Sequence, residues 1–166
     1  EVDTGVHVML VLDLSARMGA TLAVRFACLV HDLGKGTRKL GSDSKFVSMN
    51  ACAEHSAQSA ETKLESVPNF FGHEQRSVNL LKTLSQRLRV PVECKELAEV
   101  VAREHGNIHR SQALNAAAIV RLLERCDAIR KPARFADILL ACECDARGRL
   151  GLHDTLYPQA ARLAAA

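Results

Sequence analysis

The sequence predicts an all-α domain. Three observations carry that reading. Apolar residues recur at helical spacing over nearly the whole chain, capping and stop residues punctuate them, and no run alternates as a half-buried strand would. In chain order, Thr4 can cap a first helix whose apolar face runs Leu10, Val11, Leu14 and Met18, with Gly19 as its stop. Thr21 can cap a second, with Leu22, Phe26, Leu29 and Val30, ending at Asp32-Leu33-Gly34. A third begins near Glu74 and carries Val78, Leu81, Leu84 and Leu88. Pro91 suits a first helical position, and Leu97, Val100 and Val101 follow at helical spacing; Gly106-Asn107 is expected to end that helix. Asn115 can cap the next, with Ile119, Leu122, Leu123 and Cys126. Pro132 interrupts, and Phe135, Ile138, Leu139 and Cys142 resume on one face.

Residues 37–71 break this pattern. They are polar, rich in Ser, Lys and Glu, and read as a long insertion, a loop or lid with a short helix over 51–65. With 166 residues, 48% of them apolar, residues 1–166 are expected to form a single domain with a sizeable core. The net charge, 22 − 19 = +3, permits anionic substrates without demanding them. Five Phe, one Tyr and no Trp argue against a base-stacking nucleic-acid surface. No apolar run is long enough for a transmembrane helix, so no membrane partner is expected. No signal peptide is read, and the chain starts at Glu1 without a Met, which suggests a fragment of a longer protein, expected to be cytoplasmic. The cysteines at 28, 52, 94, 126, 142 and 144 form no Cys-x-x-Cys, and Cys142-x-Cys144 is too close for a zinc knuckle. They read as reduced, mostly buried thiols.

The seven histidines are the chemical signal. His7 shares the apolar face of its helix with positions 10, 11, 14 and 18. His31 and Asp32 sit together at the end of the second helix, and Asp145 follows Ile138 and Cys142 at spacings of seven and three. Four polar groups on inward faces of three helices would be costly if left alone. One divalent ion resolves that cost, because imidazoles with carboxylates suit a transition metal. Each residue also has a plainer reading. His7 can be a satisfied core histidine. Asp145 can pair with Arg147 or Arg149. Gly34 can be a helix C-cap, with Lys35 complementing the dipole.

The ordered set His7, His31-Asp32-x-Gly34-Lys35 and Asp145 resembles the HD superfamily of metal-dependent phosphohydrolases. The likeness extends to Asp3-Thr4-Gly5-Val6-His7, Val24-Arg25-Phe26-Ala27, Cys28-Leu29-Val30-His31-Asp32-Leu33-Gly34-Lys35-Gly36 and Gly72-His73-Glu74. It continues through Ser85-Gln86-Arg87-Leu88-Arg89-Val90-Pro91, Arg130-Lys131-Pro132 and Asp145-Ala146-Arg147-Gly148-Arg149. Taken jointly these segments resemble the C-terminal HD domains of bacterial multifunctional CCA-adding enzymes, the tRNA nucleotidyltransferases. The resemblance implies an HD helical bundle with 2′,3′-cyclic phosphodiesterase, 2′-nucleotidase and phosphatase activities, the last favoured by nickel, with magnesium or manganese as other candidate ions. It implies tRNA as a partner through a parent enzyme. The chain has no Asp-x-Asp pair to hold polymerase metals, so nucleotidyl transfer is not assigned to it.

On this reading His7, His31, Asp32 and Asp145 bind the ion. Asp32, Lys35, His73 and His105 serve the reaction, and Lys35 with Arg25 or Arg147 neutralises phosphate charge. The substrates would be 2′,3′-cyclic nucleotides or 2′-phosphomonoesters. His105 and His109 are four apart and can share a helix face, or, if Gly106-Asn107 ends the helix, be ordinary surface residues; the resemblance favours His105 over His109 as a site residue, and His55 and His153 read as solvated. Two features depart from the family. An acidic residue is expected directly after His105, where Gly106 stands, and residues 37–71 intervene between Lys35 and His73. Two other functions compete. One is a non-catalytic tRNA-binding tail with a degenerate HD site, built on basic residues such as Arg76, Lys82, Arg87, Arg89, Arg103, Arg121, Arg130, Lys131 and Arg134. Those charges can equally be the solvated faces of amphipathic helices. The other is an oligomerisation module, the chain being a monomer or a homodimer.

Overall fold

Helix α1 (Thr4–Arg17) starts one residue earlier than Thr4 capping would allow, because Asp3 takes the cap. Its carboxylate accepts from the backbone N–H of Gly5 at 2.7 Å and of Val6 at 3.1 Å, and its charge suits the positive end of the helix. Helix α2 (Leu22–Val30) begins on Thr21 as expected, the hydroxyl accepting from Val24 N–H at 3.4 Å. It ends at Val30 rather than at Asp32-Leu33-Gly34. His31 Nδ1–H donates to the Cys28 carbonyl at 2.8 Å, and a 3-10 turn over Leu33–Lys35 follows. Gly34 is therefore not a left-handed C-cap. It is there for space: a Cβ would collide with the His73 carbonyl and lie 2.8 Å from Ser77 N.

Residues 3–36 and 72–166 are those the computed structural model describes, and the expected loop, lid or helix within 37–71 lies outside them. Helix α3 (His73–Leu88) closes on Arg89 in the left-handed region at φ 52°. Helix α4 (Val92–His109) begins after Pro91, which is its N-cap rather than its first helical residue. Asn115 caps α5 (Ala116–Arg125), accepting from Ala118 N–H at 2.9 Å. Pro132 opens α6 (Pro132–Arg147), its missing N–H harmless in the first turn. A last helix, α7 (Pro158–Ala164), was not foreseen in the sequence and also opens on proline. No strand occurs among the described residues, so the fold is all-α as expected.

Helices α2 and α4 form the central pair. Helices α1 and α6 pack on α2, α3 and α5 on α4, and α6 also meets α4. Leu81, Leu97, Ile108, Leu122 and Ile138 are fully or almost fully buried at these seams, each contributing about 1.5–3 kcal/mol by burial. Cys28, Cys94, Cys126, Cys142 and Cys144 are buried free thiols within the same interior, while Cys52 and His55 lie outside the described residues. No helix of the described residues is long and apolar enough to cross a membrane.

Candidate metal centre

Five helices deliver imidazoles and carboxylates to one place. His7 comes from α1, His31 and Asp32 from the end of α2, His105 and His109 from α4, and Asp145 from α6. His73 reaches in from the start of α3. His7, His31, Asp32, His105 and Asp145 are all at most 5% exposed. The rings form an edge-to-face series, His7 to His31 at 5.6 Å between centroids, His31 to His105 at 5.4 Å, and His105 to His73 at 5.5 Å.

The backbone decides how the imidazoles present themselves. A carbonyl can only accept, so a ring nitrogen facing one must carry the hydrogen. Nδ1 of His7 faces the Gly148 carbonyl at 3.2 Å, Nδ1 of His31 that of Cys28 at 2.8 Å, and Nδ1 of His105 that of Val101 at 3.1 Å. In each neutral ring Nε2 is then a bare lone pair. Those lone pairs face carboxylates. His7 Nε2 lies 2.9 Å from Asp145 Oδ1, and His31 Nε2 lies 3.1 Å from Asp32 Oδ2 and 3.4 Å from Asp145 Oδ1. His105 Nε2 is 3.7 Å from Asp32 Oδ1. Acceptors facing acceptors in a buried site require either extra protons or a cation. His31 Nε2 and Asp32 Oδ1 are buried without a hydrogen-bond partner, as metal ligands would be.

Protons hold the balance in the metal-free chain. Burial disfavours the His31 cation, but Asp145 and Asp32 outweigh it and push the imidazole up to about 10. Burial also opposes the Asp32 charge, yet His31 and Lys35 hold that carboxyl below the usual range. Asp145 is likewise buried and is held well below that range by His109, His31 and His7. Burial and the neighbouring His31 charge lower His105 to about 4, so it is neutral at pH 7. Two sets of three donors have the proximity a metal needs, His7 with His31 and Asp32, and Asp32 with His73 and His105; Asp32 is common to both.

The remaining expected residues divide. Lys35 is on the site, its Nζ 2.6 Å from Asp32 Oδ2 and its side chain 12% exposed. His73 Nε2 lies 3.5 Å from Asp32 Oδ1 and its Nδ1 3.4 Å from Glu74 Oε2. Arg25 and Arg147 are engaged elsewhere. Arg25 Nε donates to the Ala20 carbonyl at 2.9 Å. Arg147, two residues beyond Asp145 and so on the opposite face of α6, grips Glu143 and donates to the His153 carbonyl at 2.7 Å and 3.0 Å. Asp145 accordingly pairs with histidines rather than with Arg147. His153 lies out in solvent beside Asp154.

His109 is a correction. It is not a surface residue beyond the helix end, because α4 runs through Gly106 and Asn107 to His109. Asn107 does not break the helix; its Nδ2 donates to Glu104 Oε2 at 2.9 Å, inside the same turn. Glu104 is itself buried and accepts from Arg125 Nε at 2.9 Å, which ties this turn to α5. His109 therefore reaches Asp145 Oδ2 at 2.7 Å. The signal was present in the spacing, since 101, 105 and 109 share one helix face. Gly106 leaves room beside α3: a Cβ there would stand 3.4 Å from Glu74 Oε1.

The model of the HD domain family matches residues 4–129. Among curated proteins, the chain is 63% identical over 163 residues to the "Multifunctional CCA protein" of Paracidovorax citrulli, covering 98% of this chain and 33% of that protein. It is 61% identical over 166 residues to the protein of the same name from an Acidovorax species, covering 100% and 33%. It is 59% identical to that of Polaromonas naphthalenivorans, covering 98% and 33%. The chain thus spans about a third of the length of these relatives. No solved structure matches it.

Proposed function

The chain belongs to the HD domain family, and on that premise we propose that it is the divalent-metal-dependent phosphohydrolase module of a CCA-adding enzyme, acting on 2′,3′-cyclic nucleotides or 2′-phosphomonoesters. One observation carries the metal reading. Three buried imidazoles, His7, His31 and His105, have Nδ1 tied to backbone carbonyls and turn Nε2 toward Asp32 and Asp145. His7, His31, Asp32 and Asp145 would hold the ion, with nickel, manganese or magnesium as candidates. Their nitrogen and oxygen donors suit such ions. A bound ion of this kind supplies Lewis acidity to a phosphoryl oxygen and a water nucleophile at neutral pH.

The chain's own groups do the rest. The Cys28, Gly148 and Val101 carbonyls fix the imidazole tautomers before substrate arrives. Lys35, held on Asp32, brings a positive charge that can turn to a phosphate oxygen. His73 and His105 line the other side of Asp32; His73, 16% exposed at its side chain, is the one nearer solvent, where a leaving oxygen could take a proton. The resemblance to CCA-adding enzymes makes tRNA the proposed partner of the whole enzyme, a reading the relatives' name, "Multifunctional CCA protein", supports.

The test is hydrolysis of 2′,3′-cyclic AMP by the purified chain with nickel, manganese, magnesium or chelator, beside Asp32→Ala. Turnover that needs metal and disappears in Asp32→Ala is the expected result. A folded chain by circular dichroism that binds no metal and turns over no substrate would overturn the reading. It would favour the non-catalytic tRNA-binding tail, with Gly106 as the missing carboxylate.

A further inference from the structure

We propose that Tyr157 is a positioning residue for the metal centre, acting through His109 on Asp145. The proposal rests on the metal reading above. Tyr157 stands between α6 and α7, 48 residues from His109 in sequence, and its hydroxyl lies 2.9 Å from His109 Nδ1. The rings pack edge to face at 5.8 Å between centroids. A carboxylate can only accept, so the 2.7 Å contact to Asp145 Oδ2 places a hydrogen on His109 Nε2. Neutral His109 then has its lone pair on Nδ1, and Tyr157 O–H donates to it. The direction runs Tyr157 to His109 to Asp145.

The consequence falls on the other oxygen of Asp145. A carboxylate turns easily about its Cβ–Cγ bond. Among the described residues His109 is the hydrogen-bond partner of Oδ2, and holding Oδ2 turns Oδ1 toward His7 Nε2 and His31 Nε2. Without the phenol, His109 is free to move its hydrogen to Nδ1 or to swing away, and Asp145 loses its fixed rotamer. Outer partners of this kind tune metal affinity by about 10–100-fold.

The segment that carries Tyr157 is tied down independently. Arg162 donates to the Gln112 and Leu114 carbonyls at 2.9 Å and 3.2 Å, and Gln159 to the His109 carbonyl at 3.3 Å. Leu163 is buried beneath them. The C-terminal segment is thus a strap across the end of α4 whose one hydroxyl reaches the metal centre's outer ring.

Tyr157→Phe removes the hydroxyl and keeps the ring that packs the strap. Its nickel(II) affinity, measured by calorimetric titration of the chain, is expected to fall about tenfold. His109→Gln should fall at least as far, and the double variant no further than His109→Gln alone. In the metal-free chain at fixed pH, ring 15N shifts should report His109 with its hydrogen on Nε2. Unchanged nickel affinity in Tyr157→Phe, equal losses that simply multiply in the double variant, or a hydrogen on Nδ1 of His109 would each overturn the proposal. A wild-type chain that binds no nickel, manganese or magnesium would instead defeat the metal reading itself, and this proposal with it.

Discussion

Replacing Asp145 by Asn tests the electrostatics of the centre with almost no change of shape. Asp145 lies on α6 and meets groups from three other helices, His109 at 2.7 Å, His7 at 2.9 Å and His31 at 3.4 Å. Lifting the His31 imidazole from 6.5 to about 10 corresponds to about 5 kcal/mol of preference for its charged form. Asp145 and Asp32 share that preference, so the part owed to Asp145 is about 2–3 kcal/mol, at or just below the roughly 3–5 kcal/mol typical of removing one partner of a buried ion pair. The sign of the pH dependence follows. The His31 value is raised on folding, so its stabilisation is complete below pH 6.5 and is lost as pH rises through about 10. Asp145→Asn should therefore be less stable than the parent by about 2–3 kcal/mol at pH 6, and the deficit should shrink by about 2 kcal/mol at pH 10. The assay is urea unfolding of the metal-free chain in excess chelator at both pH values. A deficit that is the same at pH 6 and pH 10 would refute the assignment of His31 as the cation between two carboxylates.

Other consequences can be checked separately. On the proposed metal reading an ion bound at His31 displaces its proton, so apparent affinity should rise about tenfold per pH unit from 6.5 toward 9, a trend calorimetry in buffers of different ionisation enthalpy would also show as proton release. Gly34→Ala should destabilise the fold by at least about 1–3 kcal/mol, because the new methyl meets the backbone of His73 and Ser77 rather than a side chain that can yield; an unchanged melting temperature would refute this. Arg125→Ala leaves the buried Glu104 carboxylate with Asn107 as its one side-chain donor among the described residues, and denaturant unfolding should show a loss of about 1–3 kcal/mol.

The helices were legible in the sequence because their signals are local. A cap at Thr21 or Asn115, a proline at 132 and apolar residues three and four apart act within one or two turns, and the chain folds there as they direct. The same locality explains the errors. Asp3 outcompetes Thr4 for the first cap by accepting two N–H groups. Gly106-Asn107 looked like a stop, yet packing through Glu104 and Arg125 carries α4 onward to His109. That is tertiary structure overriding a weak propensity of about 1 kcal/mol.

The sequence by itself determined the all-α class and placed His7, His31, Asp32 and Asp145 on inward faces. Helical periodicity fixes which side of a helix a residue occupies. Only the tertiary structure decided which of the other polar groups meet. It brought His73 and His105 to Asp32, left Arg25 and Arg147 with other partners, and brought His109 to Asp145 across 36 residues and Tyr157 to His109 across 48. Spacing can put residues such as His105 and His109 on one helix face, but it does not say which group of another helix that face meets. They are set by how α1, α2, α4 and α6 pack, and by the backbone carbonyls that this packing turns toward each imidazole.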